Sequence, residues 1–431
     1  MDPVEAARRL SDGRQKGGAM LAVGNLRSYG DSCLNSSGSI VDMRTMDRVI
    51  SFDPATGILE AEAGILLPRI IAAGAPHGYF PPVVPGTQFI TLGGAIANDV
   101  HGKNHHRRGT FGRHVLWLDL MRSDGQVRCG PQENPALFAA TVGGMGRTGM
   151  ILRAAIRLMP VPSLEVAETI LPFGDLDEFF AMADAADAQN EYAVAWIDQL
   201  AGGRGTGRGL LLTGNHAEGG SRQVRDPGGR LAVPFQPPIN LLNRPALVAF
   251  NTAYRLAKGC RKGVAVSGYQ SFFFPLDGVR DWNRLYGPRG LFQHQSVVPL
   301  ATAREAIPAL FDAVRKAGQG SFLTVLKRFG GLPSPGILSF PRPGYTLTLD
   351  FPNRGQSTRA LLDTLDRITV QAGGAVNPYK DARMGPATFA ASFPRWRDLE
   401  SMRDPAFVSD FWRRTAIALS ASGTGFASAA E

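Results

Sequence analysis

The sequence predicts an α+β protein built as two modules, and three observations carry that reading. Strand-length apolar runs and helix-period runs alternate irregularly along the chain, without a repeat. At 431 residues the chain exceeds the roughly 250–300 residues at which a single core stops growing. Its texture changes near residue 163, where Pro160 and Pro162 stop a strand.

Element by element, the first third reads as short strands separated by glycine turns: "AMLAVGN", "GSIVDM", "VISFD" and "GILEAEAG", followed by a helical "LLPRIIAAGAPHG". "PALFAATVGGMGRTGMILRAAIRLMPVP" predicts a short helix, a glycine turn and a strand. From 164, "LEVAETILPF" predicts a strand, "DLDEFFAMADAADAQ" an amphipathic helix and "YAVAWIDQL" another strand. Residues 202–240 are rich in Gly, Arg and Pro and are expected to form a mobile basic loop. Strands are predicted in "VSGYQSFFFP" and "GLFQHQSVVP", a helix in "ATAREAIPALFDAVRKAG", and further strands in "FLTVLKRFG" and "YTLTLDFP". The stretch from 375 onward, ending in the helical "FVSDFWRRTAIAL", is expected to close back on the first module.

Composition narrows the function classes. Apolar residues at 44% and charged residues at 19% exclude wholesale disorder. A formal charge of +9 favours anionic partners: phosphates, nucleic acid or an acidic membrane face. Cys33, Cys129 and Cys260 lack CxxC spacing, which argues against a zinc ribbon or a disulfide framework and suits a reducing, cytoplasmic compartment. The first residues show no apolar signal region, and no run of about 18 apolar residues occurs, so a soluble or peripheral protein is expected.

"IANDVHGKNHHRRGTFGRHV" concentrates four of the seven histidines in residues 96–115. His101 and His105 have i, i+4 spacing, yet Gly102, Gly109 and Gly112 disfavour a stable helix and no further ligand pattern completes a metal site. Histidines that brace a buried loop are a better reading, and a polar loop lying against an aromatic cofactor is better still. Upstream, "GNLRSYGDS" offers successive backbone N–H groups suited to an anion. In "PGTQFITLGGAIAND", Gly86, Thr87, Gly93 and Gly94 let backbone approach a pyrophosphate or a flat ring. Gly144, Gly146 and Gly149 also satisfy GxGxxG, but they follow a predicted helix and lead into a strand, the reverse of a dinucleotide-binding turn.

The succession "RSYGD", "PGT…TLGGAIAND.HGKNHH..G.FG.HV", "L.ATVGGMG.TG" and "YKDAR" resembles the FAD-linked oxidoreductases of the vanillyl-alcohol oxidase superfamily. Within it, the chain is similar to the decaprenylphosphoryl-ribose 2′-oxidase branch over nearly its whole length, including "WNRLYGP.G..Q.Q.V.P" and "FL.V.K.FG". The resemblance implies a two-part FAD-binding domain, residues 1–163 and 375–431, around an inserted substrate domain, 164–374, built on an antiparallel sheet. It implies FAD held by Gly24, Arg27, Ser28, Tyr29, Gly30, Asp31, Gly86, Thr87, Thr91, Leu92, Gly93, Gly94, His101, Asn104, Ile151 and Asn377. Substrate would meet Trp196, Phe273, Gln293, Gln295, Lys327, Thr346 and Thr348, with Lys380 and His101 as the catalytic pair. Arg27 stands where covalently flavinylated relatives often carry histidine, so FAD is expected to bind noncovalently.

The activity implied is oxidation of the 2′-hydroxyl of a polyprenylphosphoryl ribose to the keto sugar, the first half of epimerisation to the arabinose form used in cell-wall arabinan. A separate NADH-dependent reductase would complete it. Lys380 would stabilise charge developing on the flavin, and Lys327 would pair with the substrate phosphate. The basic surface would meet the inner face of an anionic membrane rather than nucleic acid. Two alternatives are an alditol or aldonolactone oxidase acting on a free sugar, and a non-enzymatic basic protein. The family pattern is broken at four positions. Thr348 replaces a pocket cysteine attacked by nitroaromatic inhibitors, Thr346 a pocket asparagine, Asn377 a tyrosine flanking the flavin, and Leu26 a glycine. Relatives also begin with a further strand ahead of residue 1.

Overall fold

In the computed structural model, which describes residues 1–12, 19–225, 229 and 231–421, two antiparallel sheets dominate. The first comprises β1 (Val49–Asp53), β2 (Ile58–Glu62), β3 (Val115–Arg122), β4 (Gly125–Cys129) and β5 (Met150–Arg157), in the order β1-β2-β5-β3-β4. Alternate residues Leu59, Ala61, Leu118, Leu120, Ala154 and Ile156 point to one face, as strand periodicity demands, and bury against Ile70, Ile71, Leu92 and Ile96.

The second sheet holds β6 (Glu165–Phe173), β7 (Tyr192–Ile197), β8 (Gly209–His216), β9 (Val264–Gly268), β10 (Leu291–Val298), β11 (Val325–Phe329), β12 (Gly344–Pro352) and β13 (Ala375–Val376). Its order is β9-β6-β8-β7-β11-β12-β10-β13, antiparallel throughout. One face packs on the helices Leu176–Gln189, Leu300–Lys316 and Gln356–Gln371, through Ala195, Ile197, Leu326, Leu347, Leu349 and Phe351. The other face is turned towards a cavity. The α+β expectation therefore holds, with helices and antiparallel sheets segregated.

Three sequence expectations need correction. Residues 202–240 are not one loop, because "GLLLTGNH" forms β8 inside the sheet, flanked by glycines that masked its apolar run; residues 226–228 and 230 of that stretch, and 422–431, lie outside the described residues. "VSGYQSFFFP" stops being a strand at Gly268 and continues as the short helix Tyr269–Phe273. Its aromatic run buries Phe272, Phe273 and Phe274 consecutively, which a two-residue period on one half-buried face cannot do. The helices Arg244–Gly259 and Gln356–Gln371 were not anticipated. The glycine turn of residues 143–149 does lie between the helix Pro135–Thr141 and β5, with Gly143, Gly146 and Gly149 at positive φ.

Candidate functional site

A cavity of about 1090 Å³ runs between the two sheets. Its lining draws together residues from 21 to 380. The strand period explains one wall. Trp196 on β7, Gln293 and Gln295 on β10, Lys327 on β11 and Thr348 on β12 all have the parity opposite to the helix-facing core residues, so all line the cavity. Register brings them side by side: Gln295 pairs with Thr348, and Lys327 with Thr346. Phe273 reaches the same space from its short helix.

The opposite wall is formed by residues 24–29, 84–87, 89–91, 93–94 and 97–103, with Ile151 and Asn377. Gly24 must be glycine because a Cβ there would stand 2.1 Å from Thr91 Oγ1, and a Cβ on Gly93 would stand 3.0 Å from the Cβ of Ala63. Thr91 accepts the N–H of Gly94 at 3.1 Å and sets the helix Leu92–Ala97. Among the described residues, none accepts a hydrogen bond from the backbone N–H of Leu26, Arg27 or Ser28. A narrow glycine-lined cleft with free N–H groups suits a dinucleotide pyrophosphate and a flat ring.

Gly24, Arg27, Ser28, Tyr29, Gly86, Thr87, Thr91, Gly93, Gly94, His101, Ile151 and Asn377 thus border the cavity. Five expected residues stand behind it. Asp31 pairs with Arg414 at 2.7 Å, and Gly30 lies against the carbonyl of Asp381. Leu92 is core, Asn104 donates to the carbonyl of Pro82 at 2.8 Å, and Thr346 is fully buried.

The histidines divide by role. His105 Nδ1 accepts the N–H of Gly330 at 3.2 Å, His106 Nε2 lies 3.0 Å from the carbonyl of Asn190, and His114 Nε2 lies 3.1 Å from that of Arg108. These three brace the loop. His101 enters the cavity, where its Nε2 lies 3.1 Å from Gln295 Nε2 and its Nδ1 lies 3.3 Å from Lys327 Nζ. Gln295 Nε2 also donates to Thr346 Oγ1 at 3.0 Å, and Asn377 Nδ2 donates to Gln295 Oε1 at 2.8 Å.

Burial controls the charges. It pulls the Lys327 ammonium down to about 7, helped by Lys103 and Lys380, and pulls Lys103 down to about 8 against the attraction of Glu168. His101 is held well below its ordinary value by burial, then by Lys327, His105 and Lys380, with only the carbonyl of Gly102 opposing. Lys380 moves down by burial while Asp350 opposes it. Asp350 moves up by burial against a 2.5 Å bond from Gln293 Nε2. Lys103 and Asp350 were missed in the sequence. Asp350 has the parity of Thr346 and Thr348, which could have found it.

The FAD binding domain family matches residues 3–130. The chain is 35% identical to the decaprenylphosphoryl-β-D-ribose oxidase of Mycolicibacterium smegmatis, over 96% of this chain and 93% of that protein. The chain belongs to the decaprenylphosphoryl-β-D-ribose oxidase family. An uncharacterized protein of Streptomyces coelicolor is also 35% identical, over 82% of this chain and its own full length. The L-gulonolactone oxidase of Mus musculus is 29% identical over 44% of this chain and 42% of its own. As a member of this family of flavin enzymes the chain is an FAD-dependent oxidoreductase, and the glycine-lined cleft described above fits that cofactor.

Two positions read from the sequence as departures from the family pattern, Leu26 and Asn377, have defined surroundings. Leu26, in place of glycine, sits at φ +50°, the left-handed region that disfavours a side chain. Asn377, in place of tyrosine, is an amide that orients Gln295.

Proposed function

We propose that this protein oxidises the 2′-hydroxyl of a polyprenylphosphoryl-β-D-ribose to the 2′-keto sugar. The observation that carries the reading is the polar wall of Gln293, Gln295, Lys327 and Thr348 facing a glycine-lined cleft across one cavity, in a chain of this family. Bound FAD supplies a two-electron acceptor for the carbinol hydrogen. Gly24, Gly86, Gly93, Gly94 and the free N–H groups of residues 26–28 would hold it noncovalently. Lys380 would counter charge that develops on the flavin, and the Gln293–Gln295 wall would orient the ribose. The division expected from the sequence, 1–163 with 375–431 around 164–374, gives each wall its own module, bridged by β13.

The lipid carrier would approach from an anionic membrane surface. Leu231, Phe235, Ile239, Val248, Phe250 and Leu256 are exposed, and Phe250 and Tyr254 of the same helix border the cavity. Arg244, Lys258, Arg261 and Lys262 lie on or just after that helix, a mixture of apolar and basic groups suited to anionic lipid. No helix among the described residues is long and apolar enough to cross a membrane. A separate reductase would return the keto sugar to the arabinose epimer.

Anaerobic mixing of the flavoprotein with a short-chain polyprenylphosphoryl ribose tests the proposal. Bleaching of the flavin band by this compound, and none by free alditols or aldonolactones, is expected. The reverse preference would favour free-sugar oxidation.

A further inference from the structure

Hydrogen bonds in the cavity run in one direction from a fixed starting point. The backbone N–H of Tyr379 donates to Asn377 Oδ1 at 2.9 Å, and a backbone N–H can only donate. The oxygen of the Asn377 amide is thereby identified. Its Nδ2 donates to Gln295 Oε1 at 2.8 Å, which identifies the oxygen of the second amide. Gln295 must then present its NH₂ to His101 Nε2 at 3.1 Å, so that ring nitrogen is an acceptor and carries no proton. The single proton of the imidazole is left on Nδ1, which faces Lys327 Nζ at 3.3 Å. An N–H cannot be met by an ammonium, which has three donors and no lone pair; beside the carbonyl of Gly102, the group facing this N–H that can accept it is the free amine of Lys327.

We infer that Lys327 stands in the resting cavity as a neutral amine and is the general base that takes the hydroxyl proton of the substrate, with Asn377, Gln295 and His101 as the residues that keep its lone pair available.

The surroundings agree. The neighbouring charged groups are Lys103 and Lys380, which repel a third ammonium, and His105 behind the loop is pulled to about 3, first of all by burial. Among the described residues no carboxylate pairs with Lys327; Asp350 acts on Lys380. Lys327 Nζ lies 6.0 Å from the Phe329 ring centre, and the side chain lines the cavity wall beside Gln295 and Thr348. The role expected from the sequence, an ammonium gripping phosphate, requires the protonation state that the His101 contact disfavours.

The step balances. The substrate O–H bond breaks and its proton joins the Nζ lone pair, giving the ammonium. The O–H electron pair becomes the second bond of the carbonyl, and the carbinol hydrogen leaves with its electron pair to the flavin of the family reaction. The inference rests on the oxidation proposed above, and its first test does not depend on turnover.

The chain has seven lysines, few enough for individual NMR signals. The FAD-loaded protein carrying ¹³Cε-lysine is titrated from pH 6 to 11, with Lys327→Met assigning the signal. Lys327 is expected to titrate at least two units below the surface lysines, and a midpoint among theirs overturns the proposal. The second arm uses Lys327→Arg, which keeps a permanent cation and cannot accept a proton. Flavin reduction by the short-chain polyprenylphosphoryl ribose is expected to slow about 10²–10⁴-fold. Partial recovery is expected in Lys327→Ala on adding methylamine, rising with the free-amine fraction. An Arg variant reduced at the wild-type rate overturns the base role. Should the ribose compound fail to bleach even the wild type, the oxidation proposal falls, while the titration still decides the state of Lys327.

Discussion

Lys380 Nζ lies 4.4 Å from the centre of the Tyr29 ring, a cation–π contact that joins the glycine-rich turn of residues 24–31 to the turn of residues 377–381. The lysine is therefore held at the cavity wall with no hydrogen bond consuming its donors among the described residues. Lys380→Met is expected to retain bound FAD and slow its reduction by about 10²–10³, the usual loss of one transition-state donor. Stopped-flow absorbance measures it, and loss of FAD from the variant would make Lys380 a cofactor-binding residue instead.

Arg414 grips Asp31 through two nitrogens, at 2.7 and 2.8 Å, and Asp381 at 3.0 Å. One guanidinium thus ties together the two turns that meet at Lys380. Arg414→Met leaves the Asp31 carboxylate without its cation and takes one donor from Asp381, which keeps the N–H groups of Arg383 and Met384, at a cost of roughly 1–3 kcal/mol. A lower thermal midpoint with weakened FAD retention is expected. Unchanged retention in an otherwise destabilised variant would confine the residue to the fold.

Lys103 and Lys327 give the FAD-free protein a pH signature. Both have folded values, about 8 and about 7, below the ordinary 10.5. Below about pH 7 both folded and unfolded chains hold these protons, and burial of the charge opposes folding in full. From there towards pH 10 the fold has released protons that the unfolded chain retains, so this contribution to stability rises with pH. The thermal midpoint of wild type relative to Lys103→Met is expected to climb between pH 7 and 9, by about 1 °C per kcal/mol for a chain of this length. A flat difference would mean that Lys103 stays charged in the fold.

Thr348 borders the cavity, and the resemblance read from the sequence matches it to a reactive pocket cysteine of the family. A hydroxyl is a far weaker nucleophile than a thiolate at neutral pH, so a nitroaromatic reduced by the flavin should leave no adduct on the wild type. Thr348→Cys should acquire one, visible by intact mass. An adduct on wild-type residues 344–352 would contradict the residue matching.

Leu26 occupies a left-handed conformation and is half exposed, so its side chain gains little from packing. Leu26→Gly removes a conformational penalty of roughly 1–2 kcal/mol, less the added freedom of the unfolded glycine. A stability change between zero and about +1 kcal/mol is expected in denaturant titration, and a clear loss would show that the leucine side chain is used.

The substrate wall was expected from the family resemblance, and strand parity gives the physical reason why those residues share one face. Trp196, Gln293, Gln295, Lys327 and Thr348 fall on the face opposite Ala195, Leu326, Leu347 and Leu349 once the strands are drawn. The glycine turns were legible for a steric reason, as Gly24 and Gly93 show. Other features depend on partners hundreds of residues away. Asp31 looked like part of an anion site, yet its partner is Arg414, and Asn104 looked like a cofactor contact, yet it caps the carbonyl of Pro82. The strand Gly209–His216 was hidden by the arginines and glycines around it. The roles of Asn377 and Gln295 were invisible too, since amide orientation follows from a backbone N–H two residues further on.

The short strand β13 ends immediately before Asn377 and is paired with β10, which carries Gln293 and Gln295. The two walls are therefore stitched to each other at the reacting end, and a clamshell opening there would have to tear Ser296 from Val376 and Val297 from Ala375. Phe250 and Tyr254 line the same cavity away from that pairing. Under the proposed reaction, selection can rework the part of the lining near Phe250 and Tyr254 for a different lipid chain while the machinery at the stitched end keeps its alignment, so carrier preference is expected to drift among relatives faster than the bond that is oxidised.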